Sequence, residues 1–430
     1  MNNVLRLQEY QEVPIRDLEG TIGNKGIRSL SRLNKEHGVE FFRLLHDSVK
    51  TTQYVGFVKV GKLTIQVIPK IFGDSQTDDL HFLLQLLSYT KRLKIKEHGL
   101  ASLGKLQGDF FEVLIYLFAK NLREVLRKDF KKEYVSFEQN TSFLKGKLLM
   151  KEHIRINQFD DTRFFCRYDE FTENNLMNQI FKYVSKLLMR ISDSGHNKKL
   201  LEDIIIYLCD VDDVCIASCD LDRVRFTRLN SQYEPLFNLC RLILQNMSIE
   251  FSAASKIETF VFMFDMNRLF EEFVAEFIRK HKSQILVNNT HQIEIVKNQI
   301  TLGKFFDEFR LIGDLIIKDA SGRKILIDTK YKMLAQNLRH GGLSQEDFYQ
   351  VYSYATSQDE KYKTVILIYP SFEGHDEKLT KVSLVHTLKD EDSVTVHIKT
   401  IKLSRIYEKT KKRINDATMV SELNQALNLN

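Results

Sequence analysis

Residues 313–332 read GDLIIKDASGRKILIDTKYK. Apolar LII at 315–317, a polar DASGR turn at 319–323 and apolar ILI at 325–327 predict a β-hairpin. Charged residues bracket the apolar runs: Asp314 before the first, Asp328 and Lys330 after the second. Side chains two apart on a strand leave the same face, so Asp328 and Lys330 project together, and an antiparallel neighbour can bring Asp314 beside them. Two carboxylates that close repel unless a cation sits between them. Hard oxygen ligands suit Mg²⁺ or Mn²⁺. Such an ion lowers the pKa of bound water and stabilises charge on a phosphodiester under in-line attack. A lysine adds a point charge for the water or the phosphate. The pattern therefore suits phosphodiester hydrolysis; the alternative is strand-end charge facing water. Asp-x-Lys recurs at Asp129, Asp359 and Asp376, in polar stretches where surface charge explains it. Only Asp328 ends an apolar strand run.

Two helical stretches flank the hairpin. In FDMNRLFEEFVAEFIRK (264–280), Met266, Phe270, Phe273, Val274 and Phe277 form an apolar stripe, with Arg268, Glu272, Glu276 and Arg279 opposite. Asn267 and Glu271 stand four apart at the stripe's boundary, where Glu271 either joins a metal site or serves as a cap or ion pair. Downstream, GGLSQEDFYQVYSYAT (341–356) places Gln350 and Tyr354 on one helical face. That pair suits hydrogen bonding to a phosphate, and is also ordinary helix surface.

A chain of 430 residues is too long for one ordinary core and predicts two or three domains. With 43% hydrophobic and 28% charged residues it has the composition of a soluble globular protein. Its longest apolar runs are far shorter than a membrane span, and MNNVLRLQEYQEV lacks the basic start and apolar core of a signal peptide. A cytoplasmic location and no membrane partner are expected. Five cysteines are not a disulfide framework; Cys209, Cys215 and Cys219 cluster without a CxxC pair, so reduced, buried thiols are expected rather than zinc. A net charge of +6 permits nucleic-acid binding without demonstrating it. No P-loop is present: Gly61-Lys62, Gly104-Lys105 and Gly146-Lys147 are each followed by leucine. Any nucleotide hydrolysis must come from another chain.

Residues 54–73 read as two strands around Gly61-Lys62, and 81–130 as helices. The chain reads as extended over 133–170, then helical over 174–191, 233–247 and 264–280. Strands are expected at 293–301, 311–318 and 324–330, a helix at 344–356, a strand at 364–370, and a terminal polar helix. This order is mixed α/β. The basic segments 20–38 and 122–132 are either contacts to nucleic acid or a partner, or solvated faces.

FDMNRLFEEFV, GD…DTKYK and QEDFYQVYSYA together resemble the C-terminal half of the McrC family, nuclease subunits of McrBC systems within the PD-(D/E)XK superfamily. Co-linear likeness continues upstream in IQVIPKIFG (65–73), LLQLLSYTKRL (83–93), SFLKGKL (142–148), CRYDEFTENNLMNQIFKYV (166–184) and RLNSQYEPLFNLCRLIL (228–244). The resemblance implies a β-rich N-terminal region with helices over 1–155 for docking a partner, and a helical connection over 156–255. It implies a PD-(D/E)XK endonuclease core, a mixed sheet flanked by helices, over 256–410, and a tail helix over 411–430. It further implies Asp314 and Asp328 as Mg²⁺ ligands (Mn²⁺ substituting) and Lys330 as catalytic lysine, with Glu271, Gln350 and Tyr354 in support. Gly313 stands where the superfamily's name has proline. The implied partners are double-stranded DNA and a separate McrB-like AAA+ GTPase hexamer, this chain binding no nucleotide. Alternatives are a non-catalytic activator of the ring, a stand-alone exonuclease, and a restriction subunit acting on unmodified sites.

Overall fold

The computed structural model describes residues 3–17, 30–35, 38–60, 63–71, 76–90, 110–128, 130–228, 230–251, 257–287, 294–297, 300–305, 309–313, 315–318, 322–332, 334, 344–356, 364–371, 384–388, 394–408, 410 and 413–428. Backbone contacts divide the chain into two units: Met1–Lys105 with Ser248–Asn430, and Leu106–Met247.

In the first unit the elements used below are, in chain order, β1 (Asn3–Gln8), β2 (Tyr54–Val60), β3 (Leu63–Ile68), α1 (Gln76–Tyr89), β4 (Met247–Phe251), β5 (Ile257–Asp265) and α2 (Met266–Lys280). They continue with β6 (Glu294–Lys297), β7 (Leu315–Lys318), β8 (Lys324–Thr329), α3 (Gln345–Thr356), β9 (Thr364–Ser371), β10 (Leu384–Leu388), β11 (Val394–Lys402) and α4 (Asp416–Leu427).

One sheet has the order β1-β3-β2-β5-β4. β1 runs parallel to β3, whereas β2 is antiparallel to both β3 and β5. The other has the order β6-β7-β8-β9-β11-β10. Its β6, β7 and β8 are antiparallel neighbours, β8, β9 and β11 are parallel, and β10 returns antiparallel on β11. The central strands are buried on both faces: Ile325–Ile327 and Val365–Tyr369 are closed to solvent. Parallel strands covered by helices need this unbroken apolar run rather than alternation.

α2 starts where the Asp265 side chain accepts from the Asn267 amide at 2.9 Å. It buries Met266, Phe270, Phe273, Val274 and Phe277, the stripe expected from the spacing, and also Leu269 and Ile278. α1 packs against it through Tyr89, whose ring centroid lies 5.4 Å from that of Phe273 and 5.8 Å from that of Phe277.

The second unit is built around helices Phe110–Lys128, Leu176–Ile191, Gly195–Tyr207 and Glu234–Asn246. They close on Leu114, Phe118, Ile180, Phe181, Leu188, Leu201, Phe237 and Ile243. The Glu112 carboxylate joins two connections there, accepting from Ser192 Oγ at 2.7 Å and from Asn197 Nδ2 at 2.7 Å. A separate three-stranded sheet, Glu133–Thr141, Lys147–Leu148 and Phe164–Thr172, belongs to the same unit.

N-terminal β2 pairs with β5 some 200 residues later, across register pairs such as Gly56 with Met263, so the first unit draws on both ends of the sequence. Some expectations differ from this structure. The terminal helix is not polar throughout: α4 buries Met419, Val420, Leu423, Ala426 and Leu427, and the nearby Asn428 carbonyl accepts from Lys399 Nζ at 3.1 Å. Helix Gly195–Tyr207 and strand β5 were not expected. Cys209, Cys215 and Cys219 are exposed and only Cys166 and Cys240 are buried. Their segment runs over the surface, anchored by Leu208, Val211 and Ile216. Among the described residues no helix is long and apolar enough to cross a membrane. Of the basic segment 20–38, residues 20–29, 36 and 37 lie outside the described ones.

Gly56 shows what the β2–β5 pairing requires. Its φ is +142°, and a Cβ there would overlap the Phe262 carbonyl oxygen. Gly56→Ala should therefore lower stability by about 3 kcal/mol, combining backbone strain with overpacking. Chemical denaturation checks this; an unchanged midpoint would contradict the close approach.

Candidate active site

Asp328 lies near the end of β8, opposite Leu367 of β9, and is 0% exposed. Pairing persists one residue past the strand, as the Lys330 amide donates to the Ile368 carbonyl at 2.9 Å. This holds Lys330 in extended backbone two residues beyond Asp328, so both side chains leave one face. Lys330 Nζ lies 2.8 Å from Asp328 Oδ2 and donates to Gln350 Oε1 at 2.7 Å. The lysine side chain is 18% exposed against 1% for the aspartate. The aspartate is thus the buried member of the pair and the lysine the more exposed one.

α3, which carries Gln350, is set by its own first turn. The Ser344 hydroxyl accepts from the Asp347 amide at 3.3 Å, and Asp347 Oδ2 accepts from the Ser344 amide at 3.4 Å. This reciprocal cap is what SQED encodes. Asp347 also receives Lys332 Nζ at 2.9 Å on Oδ1 and the Tyr369 hydroxyl at 3.3 Å on Oδ2. Burial pushes the Asp347 carboxyl up, but hydrogen bonds from Lys332 and Ser344 and the Lys332 charge outweigh it, leaving the group below the usual carboxylate range. Burial first, then Asp347 and the Asp328 charge, push the Tyr369 phenol well above its ordinary value. Tyr369 therefore stays a neutral donor between two carboxylates. These neighbours were not expected, although Lys332 continues the 328, 330, 332 alternation and Asp347 sits one helical turn before Gln350.

Of the sequence-predicted residues, the structure brings Asp328, Lys330 and Gln350 together. Glu271 is half-buried on α2, one residue from Phe270, whose ring centroid lies 5.7 Å from that of Tyr331. Asp314 lies outside the described residues. Its neighbour Leu315 faces Ile327, the residue preceding Asp328, across the β7–β8 pair. Tyr354 is in α3, with its side chain outside the described ones. Among the described residues no group of three or more His, Cys, Asp or Glu side chains is placed to hold a metal. The oxygens present are those of the Asp328 carboxylate and the Gln350 side-chain amide, the type a hard divalent cation takes, with the Lys330 ammonium lying against both.

In this mixed α/β chain the central sheet thus ends in an Asp–Lys pair facing a helix glutamine. Residues 49–370 match the family described as McrBC 5-methylcytosine restriction system component, and the chain belongs to that family. Among solved structures it is similar to a chain of the refined half-complex from the tetradecameric assembly of Thermococcus gammatolerans McrB AAA+ hexamers with bound McrC. Identity is 23%, covering 98% of this chain and 99% of that one, with a TM-score of 0.67, a likeness of fold. It is also similar to a chain of the T. gammatolerans McrBC complex, at 26% identity over 65% of this chain and 88% of that one, with a TM-score of 0.50. Comparison with curated proteins gives no significant match.

The ion pair sets a stability prediction. Lys330→Met would strand the Asp328 carboxylate in an apolar surround and should cost about 3 kcal/mol. Adding Asp328→Asn removes the stranded charge and should recover most of that loss. Urea midpoints of the two variants check this; equal midpoints would contradict it.

Proposed function

We propose that this chain is the Mg²⁺-dependent DNA endonuclease subunit of a McrBC-type restriction complex. It would hydrolyse phosphodiesters in double-stranded DNA while a separate McrB-like AAA+ GTPase hexamer recognises modified DNA and translocates. The observation that carries this reading is Lys330 Nζ, within 2.8 Å of Asp328 and 2.7 Å of Gln350, in a chain of the McrBC family. A PD-(D/E)XK core is supported by the antiparallel β7–β8 pair followed by the parallel β9 and β11, with α2 packed on β8.

Asp328 and Asp314 would hold the cation, with Glu271 in support. Bound there, Mg²⁺ supplies charge to lower the pKa of a water and to neutralise the phosphate. The chain's own residues do the rest. Asp328 is rigid because β8 is paired on both sides, so its carboxylate loses little freedom when it engages a ligand. Lys330 can release Asp328 and direct its ammonium at the attacked phosphate or the incoming water. Gln350 holds the ammonium in place through its carbonyl oxygen, and Tyr354 on the same helix would contact phosphate. Closure of Asp328 to solvent strengthens each of these interactions.

The partner reading rests on the solved complexes and on a surface of the second unit. Tyr134, Phe143, Leu144, Phe159 and Phe171 are all exposed on or beside its three-stranded sheet, Phe159 at 95%. We read these exposed apolar side chains, Phe143, Leu144 and Phe159 foremost, as the place where the partner binds.

Asp328→Asn and Lys330→Ala should each lower GTP- and Mg²⁺-dependent cleavage at least about a hundredfold, the scale of losing one electrostatic contributor. Both should still bind the AAA+ partner and stimulate its GTPase. Cleavage at the native rate by either variant would sink the nuclease reading and leave that of a non-catalytic ring activator. Separately, Phe143→Asp with Phe159→Asp should weaken partner binding about tenfold or more while leaving the thermal midpoint unchanged. Co-purification and a melting curve measure the two effects.

A further inference from the structure

Tyr331, the residue after Lys330, is 1% exposed and points away from the Asp328 side of the strand. Its hydroxyl donates to Glu9 Oε1 at 2.8 Å. Glu9 follows β1 directly, is 2% exposed, and lies 322 residues away along the chain. The same Oε1 accepts from the Lys70 amide at 2.8 Å, and the Glu9 amide donates to the Ile68 carbonyl at 3.0 Å. Glu9 Oε2 is buried with no hydrogen-bond partner among the described residues. Asp79 of α1, 0% exposed, takes the neighbouring Ile71 amide at 3.1 Å.

We infer that Glu9 is a positioning residue for Lys330, acting through the Tyr331 hydroxyl. The inference rests on Lys330 being the lysine of the proposed site. Three anchors hold the short segment after β8: the Lys330 amide on Ile368, the Tyr331 phenol on Glu9, and the Lys332 ammonium on Asp347. The first belongs to the sheet and the third to α3. The second is contributed by the N-terminal sheet, so the placement of Lys330 depends on a residue near the start of the chain. A carboxyl group has little reason to sit closed to water beside Asp79 unless its acceptor is used. Burial, offset partly by the Lys70 and Tyr331 hydrogen bonds and aided by Asp79, raises the Glu9 carboxyl to about 7. A proton on Oε2 leaves Oε1 free to accept both hydrogen bonds, so the tie survives either charge state. Burial and then Glu9 raise the Tyr331 phenol, which keeps it a donor.

The test is the rate at which an amine-reactive acetylating reagent labels Lys330 in the purified full-length chain, followed by mass spectrometry. Lys182, buried in the second unit and ion-paired to Asp213 at 3.5 Å, serves as internal reference. Tyr331→Phe and Glu9→Ala should each speed labelling of Lys330 about fivefold relative to Lys182, the population change expected for one lost buried hydrogen bond. Glu9→Gln keeps a carbonyl oxygen for both donors and should stay near the native rate. Unchanged Lys330 labelling in both Tyr331→Phe and Glu9→Ala would overturn the tie. So would Glu9→Gln labelling as fast as Glu9→Ala, which would mark loss of fold rather than loss of an acceptor. The site reading is judged apart from this, by Lys330→Ala in the cleavage assay. Cleavage by that variant would remove Lys330's catalytic role without altering the labelling result.

Discussion

Burying the Asp328 carboxylate at the end of an apolar strand commits its surroundings to supplying charge and hydrogen bonds that water no longer provides. Lys330 supplies the charge, and its own position is then constrained from several sides. Gln350 fixes the ammonium from α3, while α3 is oriented by a reciprocal Ser344–Asp347 cap whose acid also takes Lys332 and Tyr369. Lys330, Gln350, Ser344, Asp347, Lys332 and Tyr369 share partners at this end of the sheet, so local geometry is determined cooperatively rather than by one contact.

The apolar part of the structure serves the same end. Parallel pairing of β8, β9 and β11 closes both faces of the central strands, and α2 lies against β8 through a stripe that includes Phe270. Without that cover Asp328 would be a strand-end charge in water, and its pairing with Lys330 would be worth little. The N-terminal strands enter the same unit through the β2–β5 pair, which needs a residue without a side chain at position 56. The first hundred residues and the last two hundred therefore fold as one contact unit, with the helical unit inserted between them in sequence.

Much of the candidate site is legible in the order of the residues alone. The apolar runs at 315–317 and 325–327 form β7 and β8, and the spacing of Met266, Phe270, Phe273, Val274 and Phe277 forms the buried face of α2. Asp328, Lys330 and Gln350 are readable because each sits at a fixed offset on or beside a regular element, where periodicity dictates direction. Tail helix α4 escapes such a reading because its apolar residues, Met419, Leu423 and Leu427, are diluted by polar ones that face water. Exposure of Cys209, Cys215 and Cys219 escapes it because thiols are buried by default and no local pattern marks a surface run.

What the sequence by itself determined is the set of local directions: which residues alternate on a strand, which line one helix face, and which four-residue signal caps α3. Such directions follow from backbone geometry within a few residues. Only the tertiary structure decided that Glu9 would meet Tyr331, that β2 would pair with β5, and that Asp347 would join Lys332 to Tyr369. Those contacts depend on how strands are ordered within a sheet, a choice made by total burial and hydrogen-bond satisfaction across hundreds of residues. In GDLIIKDASGRKILIDTKYK the alternation could point Lys330 toward Asp328, but the groups that meet it from outside the hairpin, the Ile368 carbonyl and the Gln350 side chain, were set by the tertiary structure.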